Sequence, residues 1–143
     1  MDIMKSLSIS EKQLDDFDRD GFVIVKNILS AHELPHLHEC YERLFRCEFE
    51  TGVSPDEVNR RTGLSDPTLT RQICNAWKAD RRLAAVVLRE DIGRACALLG
   101  RWDGARLNQD NVFWKPPGAR AIGFHQDSAY QEWAVPGEML SCW

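Results

Sequence analysis

The spacing of apolar residues changes abruptly at Gly100, and this change limits the folds open to the chain. Before Gly100, helix start and stop signals recur at the spacing of amphipathic helices. After it, valine, phenylalanine and tryptophan become frequent, and Pro116-Pro117-Gly118 forms a turn that neither a helix nor an inner strand tolerates. The pattern predicts an α+β chain that is mainly helical over 1–100, with one early strand, and sheet-forming over 101–143.

Two capping boxes mark the first helices. Ser10 with Gln13, followed by a stop at Gly21, predicts a short helix over EKQLDDFDRD. Ser30 with Glu33 repeats the signal and predicts the longest helix, over 31–50. The apolar face of that helix is expected to contain Leu34, Leu37, Tyr41, Leu44 and Phe45.

Further helix signals follow. The segment SPDEVNRRTG, residues 54–63, combines a capping serine, a following proline and a final glycine, which predicts a short surface helix. Residues 64–80 carry mixed signals, and we expect a loop with a short strand or turn around 71–77. Asp80 can cap RRLAAVVLRE, and the helical pattern continues to Gly100. The basic residues of this stretch are expected on its solvent face: Arg81, Arg82 and Arg89.

Four segments have the composition of strands. FVIVKNI, residues 22–28, is rich in β-branched residues and too short for a helix, so it predicts a buried strand. The other candidates are residues 106–115, 122–127 and 139–143. The last of them stops after a few residues and would leave a sheet edge unpaired, so we expect residues 1–143 to form a single but incomplete domain.

Composition excludes several classes of partner. A net charge of −4 gives no basic surface for nucleic acid, and the longest apolar run, Leu83 to Leu88, is too short to cross a membrane. The first ten residues lack the apolar core of a secretory signal. Five cysteines without a CxxC pair fit reduced thiols. We therefore expect a cytoplasmic protein that binds neither nucleic acid nor membrane; the oligomeric state stays open.

The tripeptide His125-Gln126-Asp127 is the sharpest chemical feature. In an extended segment His125 and Asp127 lie on one face. With a second histidine they would complete the 2-His-1-carboxylate triad that holds non-haem Fe(II). Composition alone produces such a tripeptide in roughly one sequence in three of this size. The surrounding sequence must therefore decide its meaning.

That surrounding sequence resembles the phytanoyl-CoA dioxygenase family of Fe(II)- and 2-oxoglutarate-dependent oxygenases. The segments DGFVIVKNILSAHEL, LNQDNVFWKPPG, HQDSAY and EMLSCW occur in the family's order. The resemblance implies helices leading into the first strands of a double-stranded β-helix, a jelly roll whose C-terminal part is missing here. It implies His125 and Asp127 as iron ligands, 2-oxoglutarate and O2 as co-substrates, and oxidation of a small organic substrate with release of succinate and CO2.

Two further residues are carried over from the family. The resemblance implies that Trp143 packs beside 2-oxoglutarate and that Gln109 lies near it. A core aromatic side chain at Trp143 and an ordinary strand residue at Gln109 are equally consistent with the sequence.

The family pattern also requires a distal histidine and a basic residue after Trp143, and the chain has neither. Its other histidines, His32, His36 and His38, lie on the predicted long helix. His32, His36 and Cys40 have the spacing of a zinc stripe, but the helical wheel turns the two histidines away from the apolar face. Two interpretations stay open. The chain is the N-terminal part of an oxygenase, with weak or no activity by itself, or it is a truncated or degenerate member acting as a non-catalytic binding module.

Overall fold

A computed structural model describes residues 7–60, 64–131 and 138–143. The α-helices of this part are α1 (Glu11–Asp20), α2 (Glu33–Phe45), α3 (Arg81–Val87) and α4 (Glu90–Gly100). Its strands are β1 (Glu57–Val58), β2 (Arg71–Cys74) and β3 (Asn111–Trp114). They form an antiparallel sheet in the order β1-β2-β3. Short 3₁₀ helices occupy Ala76–Lys78 and Asp127–Tyr130. The predicted α+β class is confirmed.

Helix α1 matches its sequence signals at both ends. The Ser10 amide donates to Gln13 Oε1 at 3.0 Å, and the Gln13 amide donates to Ser10 Oγ at 3.3 Å. Gly21 ends the helix at φ +76° and donates its amide to the Phe17 carbonyl at 2.8 Å. A glycine adopts this left-handed conformation without the Cβ clash that other residues meet, so the short-range signals are sufficient to define α1.

Helix α2 is shorter than predicted. The Ser30–Glu33 capping box forms, with the Ser30 amide donating to Glu33 Oε2 at 2.6 Å. The helix nevertheless ends at Phe45, because Cys47 adopts a left-handed φ of +61° and its amide bonds back to Leu44. Leu34 was predicted in the core but is 54% exposed, since the core begins one turn later, at Leu37.

The hydrophobic core lies between α2, α3 and one face of the sheet. Its apolar residues come from α2, β2, β3, α3 and the first 3₁₀ turn, and they are Leu37, Cys40, Leu44, Phe45, Ile73, Ala76, Ala79, Leu83 and Val112. Burying apolar area of this kind provides the main favourable free energy of folding. The core thereby fixes the sheet against α2 and sets the starting direction of the chain after β3.

Asp80 is the fully buried charged group of this core, with a residue exposure of 2%. Its Oδ1 accepts hydrogen bonds from the amides of Arg82 and Leu83, which caps α3 as predicted, and its Oδ2 accepts from Arg43 Nη2 at 2.5 Å. Burial alone raises the pKa of Asp80, but the hydrogen bonds from Arg43 and the cap outweigh burial and lower it overall. The carboxylate therefore joins α2 to α3.

The short surface helix predicted over residues 54–63 is wrong. Glu57 and Val58 form β1, opposite Cys74 and Ile73 of β2, and hydrogen bonds from Asp56 and Asn59 to β2 extend the pairing. Val58 packs against the core. The local capping residues do not produce a helix here, because cross-strand hydrogen bonds and burial of Val58 stabilise the extended conformation more strongly. Gly63, the predicted stop, lies outside the described residues.

The strand predictions have mixed outcomes. Residues 71–77 contain β2 followed by a 3₁₀ turn, and 106–115 contain β3, as predicted. Residues 22–28, 122–127 and 139–143 are not strands, and Phe22 and Ile24 are 63% and 72% exposed. An extended segment becomes a strand only when another strand bonds to it, and none of the described segments pairs with these three.

Arg89 was predicted on a solvent face, and this is wrong. Arg81 and Arg82 are exposed, as predicted, but the Arg89 side chain is only 6% exposed. The predicted continuous helix breaks at this residue. Its guanidinium forms two hydrogen bonds to Asp91, at 3.0 and 2.7 Å, and a third to the Ile28 carbonyl at 2.6 Å. Arg89 therefore holds the segment after α1 against the break between α3 and α4.

No helix in the described ranges is long and apolar enough to span a membrane.

Replacing Asp80 tests the buried pair. We expect Asp80→Ala to lower the free energy of unfolding by about 3 kcal/mol, the lower end for a broken buried pair because Arg43 remains partly exposed. Because the folded pKa of Asp80 is depressed, its contribution is present at neutral pH and is lost as the pH falls below about 4. Urea titrations at pH 7 and at a series of lower pH values, continued below the depressed pKa of Asp80, should show the free energies of unfolding of wild type and Asp80→Asn approaching each other. Asp103→Asn, in an exposed loop, is the matched control. Equal losses of unfolding free energy at pH 7 in Asp80→Asn and Asp103→Asn would contradict the stabilising role of the buried Asp80–Arg43 pair.

Candidate functional site

His125 and Asp127 lie together after the Pro116–Gly118 turn that follows β3. His125 Nε2 is 3.2 Å from Asp127 Oδ1, and both side chains are about a third exposed, at 36% and 37%. Gln126 between them is extended, with φ −110° and ψ 126°, so its two neighbours project to one side. The predicted juxtaposition of the two side chains is therefore present, although Asp127 begins a 3₁₀ helix rather than ending a strand.

Two contacts orient the His125 ring. Its Nδ1 lies 2.9 Å from the Gly123 carbonyl, and because a carbonyl oxygen only accepts, Nδ1 carries the hydrogen. The ring of Tyr130 meets the imidazole edge-on, with ring centres 5.8 Å apart and planes at 80°. The Nε2 atom is therefore directed at the Asp127 carboxylate.

Asp127 is oriented by a residue that comes much later in the chain. Its Oδ2 accepts a hydrogen bond from the Ser141 hydroxyl. This bond leaves Oδ1 as the oxygen that faces His125. Ser141 was not predicted, because a serine fourteen positions away carries no spacing signal that links it to the HQD tripeptide.

The two predicted co-substrate residues lie in different surroundings. Trp143 stacks on Phe113 of β3, with ring centres 5.9 Å apart and planes at 18°, and it is 88% exposed. Gln109 donates from Nε2 to Asn111 Oδ1 at 3.1 Å, in a polar cluster on the sheet that also contains Gln72. Neither contact involves His125 or Asp127. Their roles beside 2-oxoglutarate stay predictions.

The early histidines do not form a zinc stripe. His32 and His36 are exposed on α2, whereas Cys40 is fully buried in the core, so the three cannot share one ion. The exposure of the two histidines agrees with the prediction from the helical wheel. Within the described ranges, no group of three or more histidine, cysteine, aspartate or glutamate side chains is placed to hold a metal.

The family profile of phytanoyl-CoA dioxygenase (PhyH) matches residues 17–143. The chain belongs to the phytanoyl-CoA dioxygenase family.

Two curated relatives support this placement. Ectoine dioxygenase of Nocardia farcinica is 30% identical over 126 residues, which covers 87% of this chain and 40% of the relative. Ectoine dioxygenase of Sphingopyxis alaskensis is 27% identical over 135 residues, covering 92% and 40%. The chain thus spans about 40% of the length of these relatives. No solved structure matches it significantly.

Residues 138–143 connect the HQD region of this family member to the rest of the fold. Besides the Ser141 and Trp143 contacts, Glu138 accepts from Trp102 Nε1 at 2.9 Å. The sulfur atoms of Cys142 and Cys96, on α4, are 3.4 Å apart. A hydrogen bond from the Cys96 thiol stabilises the Cys142 thiolate and lowers the pKa of Cys142 to about 7, although burial opposes this shift.

Alkylation tests the placement of this segment. At pH 7.5 most Cys142 is expected to be thiolate, whereas burial raises the pKa of Cys74 to about 11. Iodoacetamide should therefore label Cys142 well before Cys74, as followed by peptide mass spectrometry. Cys96→Ala removes the hydrogen-bond donor and should slow the alkylation of Cys142 at this pH. The alkylation rate of the exposed Cys47 provides the internal reference. An unchanged Cys142 rate would show that the two thiols do not meet.

Proposed function

We propose that the chain carries two iron ligands, His125 and Asp127, of an Fe(II)- and 2-oxoglutarate-dependent dioxygenase that oxidises a small organic substrate. The observation that supports this most directly is the approach of His125 Nε2 to Asp127 Oδ1. Residues 1–143 are proposed to be one domain that begins the jelly-roll fold of the family, which is consistent with their 40% share of the relatives' length.

The donor atoms fit a metal ion. His125 Nε2 and Asp127 Oδ1 are 3.2 Å apart, close enough for both to bind one metal ion at the usual bond lengths of about 2.1 Å. Hydrogen bonding of the other ring nitrogen to a backbone carbonyl is the usual support of a metal-bound histidine. In the neutral ring the Nε2 lone pair faces a carboxylate oxygen, an arrangement that either a proton on Nε2 or a bound cation stabilises. An imidazole and a carboxylate are also two donors of the facial triad of Fe(II) oxygenases.

Bound iron supplies the activation of O2 that is coupled to decarboxylation of 2-oxoglutarate to succinate and CO2. The chain's own residues orient and separate the donors. The Gly123 carbonyl and Tyr130 hold the imidazole, and Ser141 engages Oδ2 so that Oδ1 remains for the metal. Trp143, resting on Phe113, offers an exposed flat apolar surface beside the segment that holds Asp127. We propose this surface and Gln109 as the 2-oxoglutarate side of the site.

The relatives' names suggest which substrates to test first. Both are ectoine dioxygenases, so a cyclic, amino-acid-like solute is the first candidate, and an acyl-CoA is the second because of the family's name.

Anaerobic Fe(II) titration tests the ligands without relying on turnover. We expect His125→Ala and Asp127→Ala each to weaken Fe(II) binding at least tenfold, because each removes one direct donor, and even supporting residues of metal sites contribute 10–100-fold. His36→Ala, on the exposed face of α2, is the matched control and should bind as wild type does. Equal affinities of the wild type and His125→Ala would contradict the ligand assignment.

Succinate formation tests the activity. With Fe(II), ascorbate and 2-oxoglutarate, we expect the protein to form succinate faster when its substrate is present, with ectoine and an acyl-CoA assayed side by side. His125→Ala should abolish this activity and keep the far-UV circular dichroism of the wild type. For the 143-residue chain alone we expect weak turnover or none. If a chain extended by the family's distal histidine and basic residue binds iron without forming succinate, the non-catalytic binding module is favoured.

A further inference from the structure

A cavity of about 690 Å³ lies beside the sheet, and neither His125 nor Asp127 lines it. Its walls come from the end of β1, the loop before β2, the first residue of β2 and the segment 120–122. Three arginines line it: Arg60, Arg71 and Arg120. The iron proposal uses none of them.

These arginines differ from most others in the described part of the chain. Eight arginines pair with a carboxylate within 4.0 Å, and they are Arg19, Arg43, Arg46, Arg81, Arg82, Arg89, Arg94 and Arg101. The three cavity arginines are absent from the ion pairs of the described residues. Moreover, the Nε atoms of Arg60 and Arg71 are buried without a hydrogen-bond partner. A buried donor without an acceptor costs free energy, so a ligand that supplies acceptor atoms to these two Nε groups would be stabilised here.

Aromatic packing holds Arg71 in place. Its guanidinium carbon lies 4.7 Å from the centre of the Trp114 ring and 6.0 Å from that of Phe45. Burial and the nearby positive charge of Arg60 lower the pKa of Arg71, and the Glu42 carboxylate opposes this shift only in part. The side chain is thus pre-positioned in a cation–π arrangement instead of being free to move into solvent.

The cavity walls provide few negatively charged groups to balance the three arginines. Asp66 is the lining carboxylate among the described residues, and its Oδ1 already accepts from the amide and hydroxyl of Thr68, at 2.8 and 2.7 Å. The cavity also has apolar walls, formed by Val58, Leu69, Ala121 and Ile122. A ligand that suits both kinds of wall has an anionic head and an apolar body.

We propose that this cavity binds a small organic carboxylate, whose head group Arg60, Arg71 and Arg120 hold while its apolar part contacts Val58, Leu69 and Ile122. A carboxylate matches the planar donor geometry of arginine, and it satisfies the buried Nε donors. The site shares no lining residue with the proposed iron ligands, and its proposed role does not depend on them.

Binding of octanoate to the whole chain, measured by isothermal titration calorimetry, tests the site. We expect octanoate to bind and to raise the melting temperature. The neutral isostere octanamide should bind at least tenfold more weakly, and so should inorganic phosphate, which lacks the apolar body. Arg60→Gln and Arg120→Gln should each weaken octanoate binding at least tenfold. Arg120 is exposed, so its variant should fold as the wild type does.

Two control variants test whether octanoate binds in this cavity and not elsewhere on the chain. Arg106→Gln, an exposed arginine outside the cavity, should leave octanoate binding unchanged, and so should His125→Ala, even if the iron proposal fails. Without octanoate, Arg60→Gln should not lower the melting temperature, because the native side chain has an unsatisfied buried donor. No binding of octanoate, equal binding of octanamide or phosphate, or unchanged binding in both cavity variants would overturn the proposal.

Discussion

The described fold depends most on the hydrogen bonds and the ion pair that the buried carboxylate of Asp80 forms. This carboxylate satisfies the first amides of α3 and neutralises Arg43 of α2, so one side chain fixes two helices at the edge of the core. The 3₁₀ turn that precedes Asp80 follows directly from β2, which passes the constraint on to the sheet. A charge in this position is tolerated because every partner is supplied, whereas a half-satisfied carboxylate there would be strongly destabilising.

The sheet in turn organises both functional regions. One face of β2 and β3 closes the core through Ile73 and Val112. The paired residues at the other end of the strands, Arg71 and Trp114, form the cation–π contact at the cavity. Phe113, next to Trp114, carries Trp143 and thereby the segment that holds Asp127. The proposed iron site and the arginine-lined cavity therefore both rest on the same small sheet.

The core and the cavity differ in whether their arginines have a carboxylate partner. Arg43 and Arg89 are held by carboxylates and act in the fold, where each joins segments distant in sequence. Arg60 and Arg71 are partly buried, but their Nε atoms have no acceptor within the described chain. Natural structures leave few buried donors in this state, and the exceptions are often found where a ligand supplies the missing atom. Composition cannot show the difference, because all four residues are the same amino acid.

Short-range signals in the sequence determined α1, the cap at Asp80 and the α+β class, because capping residues and glycine act within one helical turn. The order of matching segments along the chain determined the family, and the closeness of His125 to Asp127 follows from two residues that flank one extended neighbour. Tertiary structure alone decided that residues 57–58 form a strand, that residues 22–28 do not, and that Arg89 is buried. It also brought Ser141 to Asp127 and collected three arginines around one cavity. These outcomes depend on partners many residues away, and a local pattern contains no information about which distant hydrogen bonds and packing surfaces a segment will meet.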